Sequence, residues 1–115
     1  MSKILFASLI ILALLVSACG DKEKQEEESS SVEAGERVFQ ERCAGCHTLT
    51  GAAKSGPGLG QLFERKTLSN GKAFSREALK ELITQGSGGG RMPGVQLESE
   101  PLEQLILYLE QATAP

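Results

Sequence analysis

The longest uncharged stretch of the chain stands near its beginning. Residues 4–16 are thirteen successive positions without charge, mostly apolar, and they follow Lys3. That length fits the apolar part of an export signal and is short of the roughly 20 residues that a membrane-spanning helix needs. Small residues come next and end at Cys19. We interpret residues 1–18 as a signal peptide that ends at a functional cysteine; the alternatives are an ordinary signal peptide with the cysteine there by chance, or an uncleaved anchor.

The pattern changes abruptly after this cysteine. Residues 20–31 contain no apolar side chain and carry five acids and two bases, a net charge of −3. Such a segment cannot bury enough apolar surface to offset the entropy lost on ordering. Residues 19–31 are therefore predicted to be a disordered acidic tether with a reach of about 20 Å. An anionic membrane surface would repel it and keep the following domain clear of the lipid.

Amphipathic helical patterns begin at residue 32. Over residues 32–42, apolar and small residues recur at helical spacing. Gly35 falls on that stripe, and because glycine destabilises a helix interior, it indicates close approach of another segment.

Two more helices are predicted further along. Residues 75–85 form the first, with Ser75 as its cap and Gly86 as its end. The last helix begins with Ser99 as its cap and repeats leucine and isoleucine at i, i+3, i+4 and i+7 from Leu102.

The stretch between the first and last helices is rich in turns. Residues 51–94 hold ten of the thirteen glycines, which predicts loops with a short helix over residues 61–66. No segment alternates apolar and polar residues as a strand would. The fold class is predicted to be all-α, with one folded domain over residues 32–115.

Composition limits what this domain can bury and bind. The chain has 115 residues with four phenylalanines, one tyrosine and no tryptophan. A domain this small with so few large apolar groups often needs a cofactor to complete its core. The net charge of −3 lacks the basic footprint of a nucleic-acid-binding protein, so no nucleic-acid partner is expected.

The chemistry is concentrated in Cys43-Ala44-Gly45-Cys46-His47. Two cysteines three positions apart, followed directly by histidine, are the attachment signature of a c-type haem. Each thiol can form a thioether to the porphyrin, and the histidine can bind the iron.

Other uses of this segment fit less well. A structural zinc site needs a second ligand pair, which the sequence lacks. A thioredoxin-like dithiol would need strands around it. A disulfide within the segment would leave His47 without a role.

The axial ligands can be approached by elimination. His47 is the sole histidine, and Met92, which stands 45 residues later, is the sole methionine apart from Met1. We therefore predict His47 and Met92 as the two axial ligands of the haem iron. An open or lysine-ligated sixth position remains the alternative.

Two family resemblances appear at this point. Residues 16–19, Val-Ser-Ala-Cys, resemble the lipobox of bacterial lipoproteins, which implies cleavage before Cys19 and lipid (diacylglycerol, palmitate) on its thiol. Residues 32–115 resemble class I cytochromes c, closest to the small membrane-anchored lipoprotein cytochromes of Gram-positive bacteria, cytochrome c-551 in type. The second resemblance is carried by Gly35, Phe39, residues 43–47, Gly56-Pro57-Gly58-Leu59, Met92-Pro93, Leu105 and Tyr108.

The cytochrome resemblance implies a fold and a set of contacts. Three to four helices would surround one covalently attached haem c, with the N- and C-terminal helices crossing where Gly35 and Phe39 meet Leu105 and Tyr108. The carbonyl of Pro57 would accept a hydrogen bond from His47. The side chains that would pack against the haem are those of Leu59, Leu82 and Ile83. The family's tryptophan partner for a propionate is missing, which leaves Arg65 or Arg91 for that role.

The resemblance also implies a function. The expected protein is a monomeric carrier of single electrons, not an enzyme, anchored by lipid to the extracytoplasmic side of the cell membrane. Its transient partners would be respiratory-chain complexes, a quinol:cytochrome c reductase as donor and a terminal oxidase as acceptor. Two other functions stay open: a haem-based sensor of gas or peroxide, and an electron-feeding subunit of a reductase.

Charge adds one further expectation. Residues 54–91 carry seven bases and three acids, whereas residues 98–110 carry four acids and no base. The domain is thus predicted to be an electric dipole that a partner's field could orient.

Overall fold

Helices make up most of the regular structure. A computed structural model describes residues 20–115; the predicted signal peptide and Cys19 lie outside them. The elements are α1 (Gly20–Arg42), a 3-10 helix (Leu62–Glu64), α2 (Arg76–Gln85) and α3 (Ser99–Ala112). Extended pairing within this part of the chain is limited to two isolated bridges, Thr67 with Ala73 and Gly86 with Pro93. The all-α prediction is confirmed. Residues 31–115 form one compact unit.

The acidic segment differs from its prediction. Residues 20–31 were expected to be disordered, but they belong to α1. Glutamate, lysine and glutamine are strong helix formers, and neither proline nor glycine interrupts residues 21–34, so local propensity favours a helix here. Residues 24–30 are exposed, so tertiary packing contributes little to the stability of this part of the helix.

None of the helices within residues 20–115 is both long and apolar enough to cross a membrane.

The first and last helices cross in close contact, as predicted. Gly35 is buried, and a Cβ there would stand 2.6 Å from the backbone carbon of Gln104 and 2.8 Å from the Cβ of Tyr108. One turn further along α1, the ring of Phe39 lies 5.7 Å from that of Tyr108. The glycine is therefore needed because a side chain would push the two helix backbones apart.

The capping predictions are confirmed for α2 and corrected for α3. The side chain of Ser75 accepts a hydrogen bond from the Ala78 N–H, and Gly86 follows the last turn of α2 with a positive φ. Ser99, predicted as a cap, is instead the first residue of α3; the cap position is Glu98, and its side chain makes no capping hydrogen bond. Serine, glutamate and proline are all acceptable in a first turn, so composition could not fix which residue precedes it.

α2 and α3 are packed together by apolar groups and linked by ion pairs at the surface. The buried core contains Phe39, Leu62, Leu68, Leu79, Leu82, Ile83, Leu105, Ile106, Tyr108 and Leu109. Arg76 pairs with Glu110 and Lys80 with Glu103, from α2 to α3. The predicted dipole is therefore weakened, since two of its bases are matched by acids of the last helix.

Candidate haem site

The cysteine–histidine segment turns directly out of the end of α1. The N–H groups of Cys43 and Ala44 both donate to the Phe39 carbonyl, at 2.8 and 2.9 Å. The N–H groups of Cys46 and His47 then donate to the Cys43 carbonyl, at 3.0 and 2.9 Å. These turns place both thiols and the imidazole within a short, hydrogen-bonded stretch. Cys43 is half-buried and Cys46 is exposed.

A hydrogen bond fixes the orientation of the histidine. Nδ1 of His47 lies 2.8 Å from the carbonyl oxygen of Pro57, which is the contact implied by the family resemblance. A carbonyl can only accept, so Nδ1 carries the proton and Nε2 of the neutral ring keeps its lone pair. An imidazole oriented in this way is ready to bind a metal ion through Nε2.

The loop that follows packs closely under the imidazole. A Cβ on Gly56 would lie 2.9 Å from Nδ1 of His47 and 3.1 Å from the Cys46 carbonyl oxygen, so only glycine fits between the loop and the ring. The Gly56 N–H donates to that same Cys46 carbonyl at 2.8 Å. The loop of ten residues from His47 to Pro57 thus folds back, so that the Pro57 carbonyl reaches the imidazole.

Met92 reaches the site from the far end of α2. The loop that carries Met92 begins after Gln85, and Gly86 and Pro93 at its two ends pair in an isolated bridge. The Val95 N–H donates to the Ile83 carbonyl at 2.8 Å, which ties the end of the loop to the helix.

These elements enclose one cavity of about 650 Å³, within the range usual for ligand sites. All eight residues predicted to bind or pack against the cofactor within residues 20–115 line it: Cys43, Cys46, His47, Pro57, Leu59, Leu82, Ile83 and Met92. Residues almost 50 positions apart in sequence are therefore brought to a single space. Cys19, the predicted lipidation site, lies outside the described residues.

Sequence reasoning missed part of the lining. The additional residues are Ser55, Leu62, Leu68, Ser69, Leu79, Ser87 and Leu109, together with nearby glycines and Pro93. Leu79 and Leu109 belong to apolar helix faces that were predicted, but helical spacing cannot tell a core-facing leucine from a cavity-facing one. Leu68 stands in a loop with no periodicity, so nothing in the sequence pointed to it.

Both arginines considered for a propionate also line the cavity. The guanidinium of Arg65 is already engaged: one nitrogen donates to the Gly58 and Gly60 carbonyls at 2.7 and 2.9 Å. Arg91 is exposed and adjoins Met92. Arg65 therefore helps to hold the loop that contains Pro57.

The chemistry of the thiols argues against the other uses of this segment. Burial, and secondarily the nearby Cys46, raises the pKa of the Cys43 thiol to about 11. Redox-active and metal-binding thiols work through lowered pKa values. Both cysteines are free, and residues 20–115 contain no cluster of three or more histidine, cysteine or carboxylate side chains suited to a metal ion. Within residues 20–115, the structure contains neither a disulfide nor the ligand set of a structural zinc site.

Comparison with known proteins decides the family. The family model described as "Cytochrome C oxidase, cbb3-type, subunit III" matches residues 30–109. Cytochrome c of Chlamydomonas reinhardtii is 34% identical over 98 residues, covering 70% of this chain and 88% of the relative. Cytochrome c-551 of Bacillus subtilis (strain 168) is 30% identical over 84 residues, covering 67% of this chain and 68% of the relative. The chain belongs to the class I cytochromes c. Its cofactor is covalently bound haem c, and it is a haem electron carrier.

The residues present fit this cofactor. Two free thiols of the attachment signature, an imidazole with an available Nε2 and a thioether all line one cavity. Leucine and isoleucine are the largest group among the other lining residues, seven of sixteen, which suits an apolar macrocycle. In this cytochrome, Cys43 and Cys46 would hold haem c by thioethers, and His47 and Met92 would supply the nitrogen and sulfur ligands of its iron.

Proposed function

We propose that this cytochrome is a membrane-tethered, mono-haem carrier of single electrons between respiratory complexes. Its donor would be a quinol:cytochrome c reductase and its acceptor a terminal oxidase. The observation that carries the proposal is the placement of His47 and Met92 on one cavity with the two thiols. Bound haem c supplies an iron centre that takes up and gives back one electron.

The side chains around the cavity support a carrier function. His47 is held by the Pro57 carbonyl, so its imidazole need not reorient between oxidation states. Met92 would occupy the other axial position, and a thioether ligand raises the reduction potential. The leucine and isoleucine side chains of the lining would limit contact between water and the bound cofactor, which would keep the change in solvation on electron transfer small.

We also propose that this cytochrome is not an enzyme, because carrying an electron requires no conversion of a substrate. Contacts with partner complexes would be small and transient, as in other redox encounters.

Tethering would come from lipid on Cys19. Two acyl chains anchor a protein stably where one chain does not. Anchoring on the extracytoplasmic side of the cell membrane would raise the concentration of the cytochrome near its partners without new contacts. The acidic part of α1 would act as a spacer that an anionic surface repels.

Electron carriage is tested with purified holoprotein and two membrane preparations. One holds a quinol-oxidising complex and the other a terminal oxidase, and electron flow between them is measured as oxygen uptake. We expect catalytic amounts of the cytochrome to restore this flow, and Met92→Ala to restore it poorly. Ready binding of carbon monoxide or peroxide without restored flow would contradict the proposal and favour a sensor.

Tethering is tested by Cys19→Ser, with Ser17→Ala as a control that keeps a small residue before the cysteine. We expect the control to remain in the membrane fraction, with a mass increased by a diacylglycerol group. The Cys19→Ser protein should lack that mass. The same added mass on both variants, or on neither, would contradict lipid anchoring at this residue.

A further inference from the structure

Met92 stands at the end of a loop that contributes little packing of its own. Gly88, Gly89 and Gly90 are three of the six residues between Gln85, the last residue of α2, and Met92. A Cβ on any of the three would meet no atom within 4 Å, and all three residues are exposed. Glycine runs also lose much conformational entropy on ordering. Whatever keeps Met92 at the cavity must therefore lie outside the run.

Ser87 is bonded to Met92 in both directions. The Ser87 N–H donates to the Met92 carbonyl at 3.1 Å. The Met92 N–H in turn donates to Oγ of Ser87 at 3.2 Å. The first bond is available to any residue except proline at this position. The second requires a side-chain oxygen one carbon from the backbone, so it depends on the identity of residue 87.

The position of Ser87 fits a specific role for its hydroxyl. Ser87 is half-buried and lines the same cavity as Met92. The other recorded contact of Oγ is a 3.5 Å interaction with the Gly88 carbonyl, at the limit of a hydrogen bond. The bond to the Met92 amide is therefore the stronger of the two.

We propose that Ser87 is a positioning residue for Met92: its hydroxyl closes the glycine loop by holding the Met92 amide, and so keeps the thioether at the cavity. The inference rests on the proposed function, in which Met92 is an axial ligand. Ser87 itself need not touch the cofactor for this role. The backbone bond closes the loop in every variant, and the hydroxyl bond sets how often the loop opens.

The expected effect follows from the size of one hydrogen bond. Losing a bond of this kind should raise the population of the opened loop about fivefold. In the reduced protein, carbon monoxide can bind only when Met92 has left its axial position. The rate of carbon monoxide binding therefore reports loop opening, independently of electron transfer to a partner.

Three variants of the holoprotein separate the hydroxyl from other effects. Ser87→Ala removes Oγ, and Ser87→Thr retains a hydroxyl at the same carbon. Thr84→Val removes a hydroxyl that bonds the Lys80 carbonyl within α2, at 2.9 Å, and lies off the cavity lining. We expect about fivefold faster carbon monoxide binding in Ser87→Ala, and rates near wild type in the other two. An unchanged rate in Ser87→Ala, or an equal increase in Thr84→Val, would overturn the inference.

A second measurement needs no variant. Amide hydrogen exchange of the wild-type holoprotein should show protection at Met92 comparable to that at Ser87. Exchange at Met92 as fast as at Gly89 would overturn the inference, even where Ser87→Ala fails to fold. Failure of the proposed function looks different: the wild-type spectrum would lack methionine ligation before any variant is compared.

Discussion

Gly35 shows how a single residue determines where two helices cross. Its burial against Gln104 and Tyr108 explains a glycine in the middle of a helix, where alanine would otherwise be favoured. The sequence indicated that something must approach this glycine, and the family resemblance indicated what. Gly56 likewise allows its loop to approach the His47 ring closely. Its importance could not be inferred from spacing alone, since glycines are common in turns.

Gly35→Ala should destabilise the domain by about 1–3 kcal/mol, because the added methyl group overlaps backbone atoms that cannot move independently. The matched control is Gly51→Ala, where a Cβ would meet nothing within 4 Å. We expect the control to stay within about 0.5 kcal/mol of wild type in denaturant unfolding of the holoprotein. Equal stability of the two variants would contradict the close crossing of α1 and α3.

Ionisation of Tyr108 should make the domain less stable at alkaline pH. Burial, and then the charge of Glu36, raises the pKa of its phenol above the ordinary value of 10.0. The folded state thus holds the phenolic proton more tightly than the unfolded state does. This contribution is fully present below about pH 10 and is lost as pH rises through the folded-state pKa.

Tyr108→Phe tests this linkage, since phenylalanine keeps an aromatic ring against Phe39. Free energies of unfolding measured from pH 7 to pH 11 should fall less steeply above about pH 10 in the variant than in wild type. The other side chains are the same in both proteins, so the difference between the two curves isolates the tyrosine. Parallel curves would contradict the assignment.

At the scale of elements, helices with clear apolar stripes were predictable and their ends were less so. The 75–85 helix was placed to within a residue because a serine cap and a terminal glycine mark it. The short helix expected over 61–66 is a single 3-10 turn over Leu62–Glu64. The acidic part of α1 shows why the disorder prediction failed: lacking apolar groups, a segment cannot pack, but it can still be helical when its residues favour that state.

Ser75 and Ser99 are both predicted helix caps, and replacing each by alanine compares a serine that caps a helix with one that does not. Ser75→Ala removes the 3.0 Å bond from the Ala78 N–H and should cost about 1 kcal/mol. Ser99→Ala changes a residue within the first turn of α3 and should stay within about 0.5 kcal/mol of wild type. Urea unfolding of the holoproteins measures both. A larger loss in Ser99→Ala than in Ser75→Ala would restore Ser99 as the cap.

At the scale of the whole molecule, the residue types that are rarest in the folded domain line one cavity. The sole histidine, Met92 and both cysteines of the attachment signature line it, although they come from separate segments. Their identity could be predicted because the sequence offers so few alternatives. The surrounding wall could not, because loop residues such as Leu68 and Ser87 acquire their places only through tertiary contacts.

The central claim is that haem c is held by Cys43 and Cys46, with His47 and Met92 as axial ligands. It is tested most directly by an optical redox titration of the purified holoprotein and of Met92→Ala, with carbon monoxide added to each reduced sample. We expect a low-spin wild-type protein that titrates as a single one-electron centre and ignores carbon monoxide near neutral pH. Met92→Ala should have a lower potential and bind carbon monoxide readily. Ready binding by the wild type, or an unchanged potential in Met92→Ala, would contradict the claim.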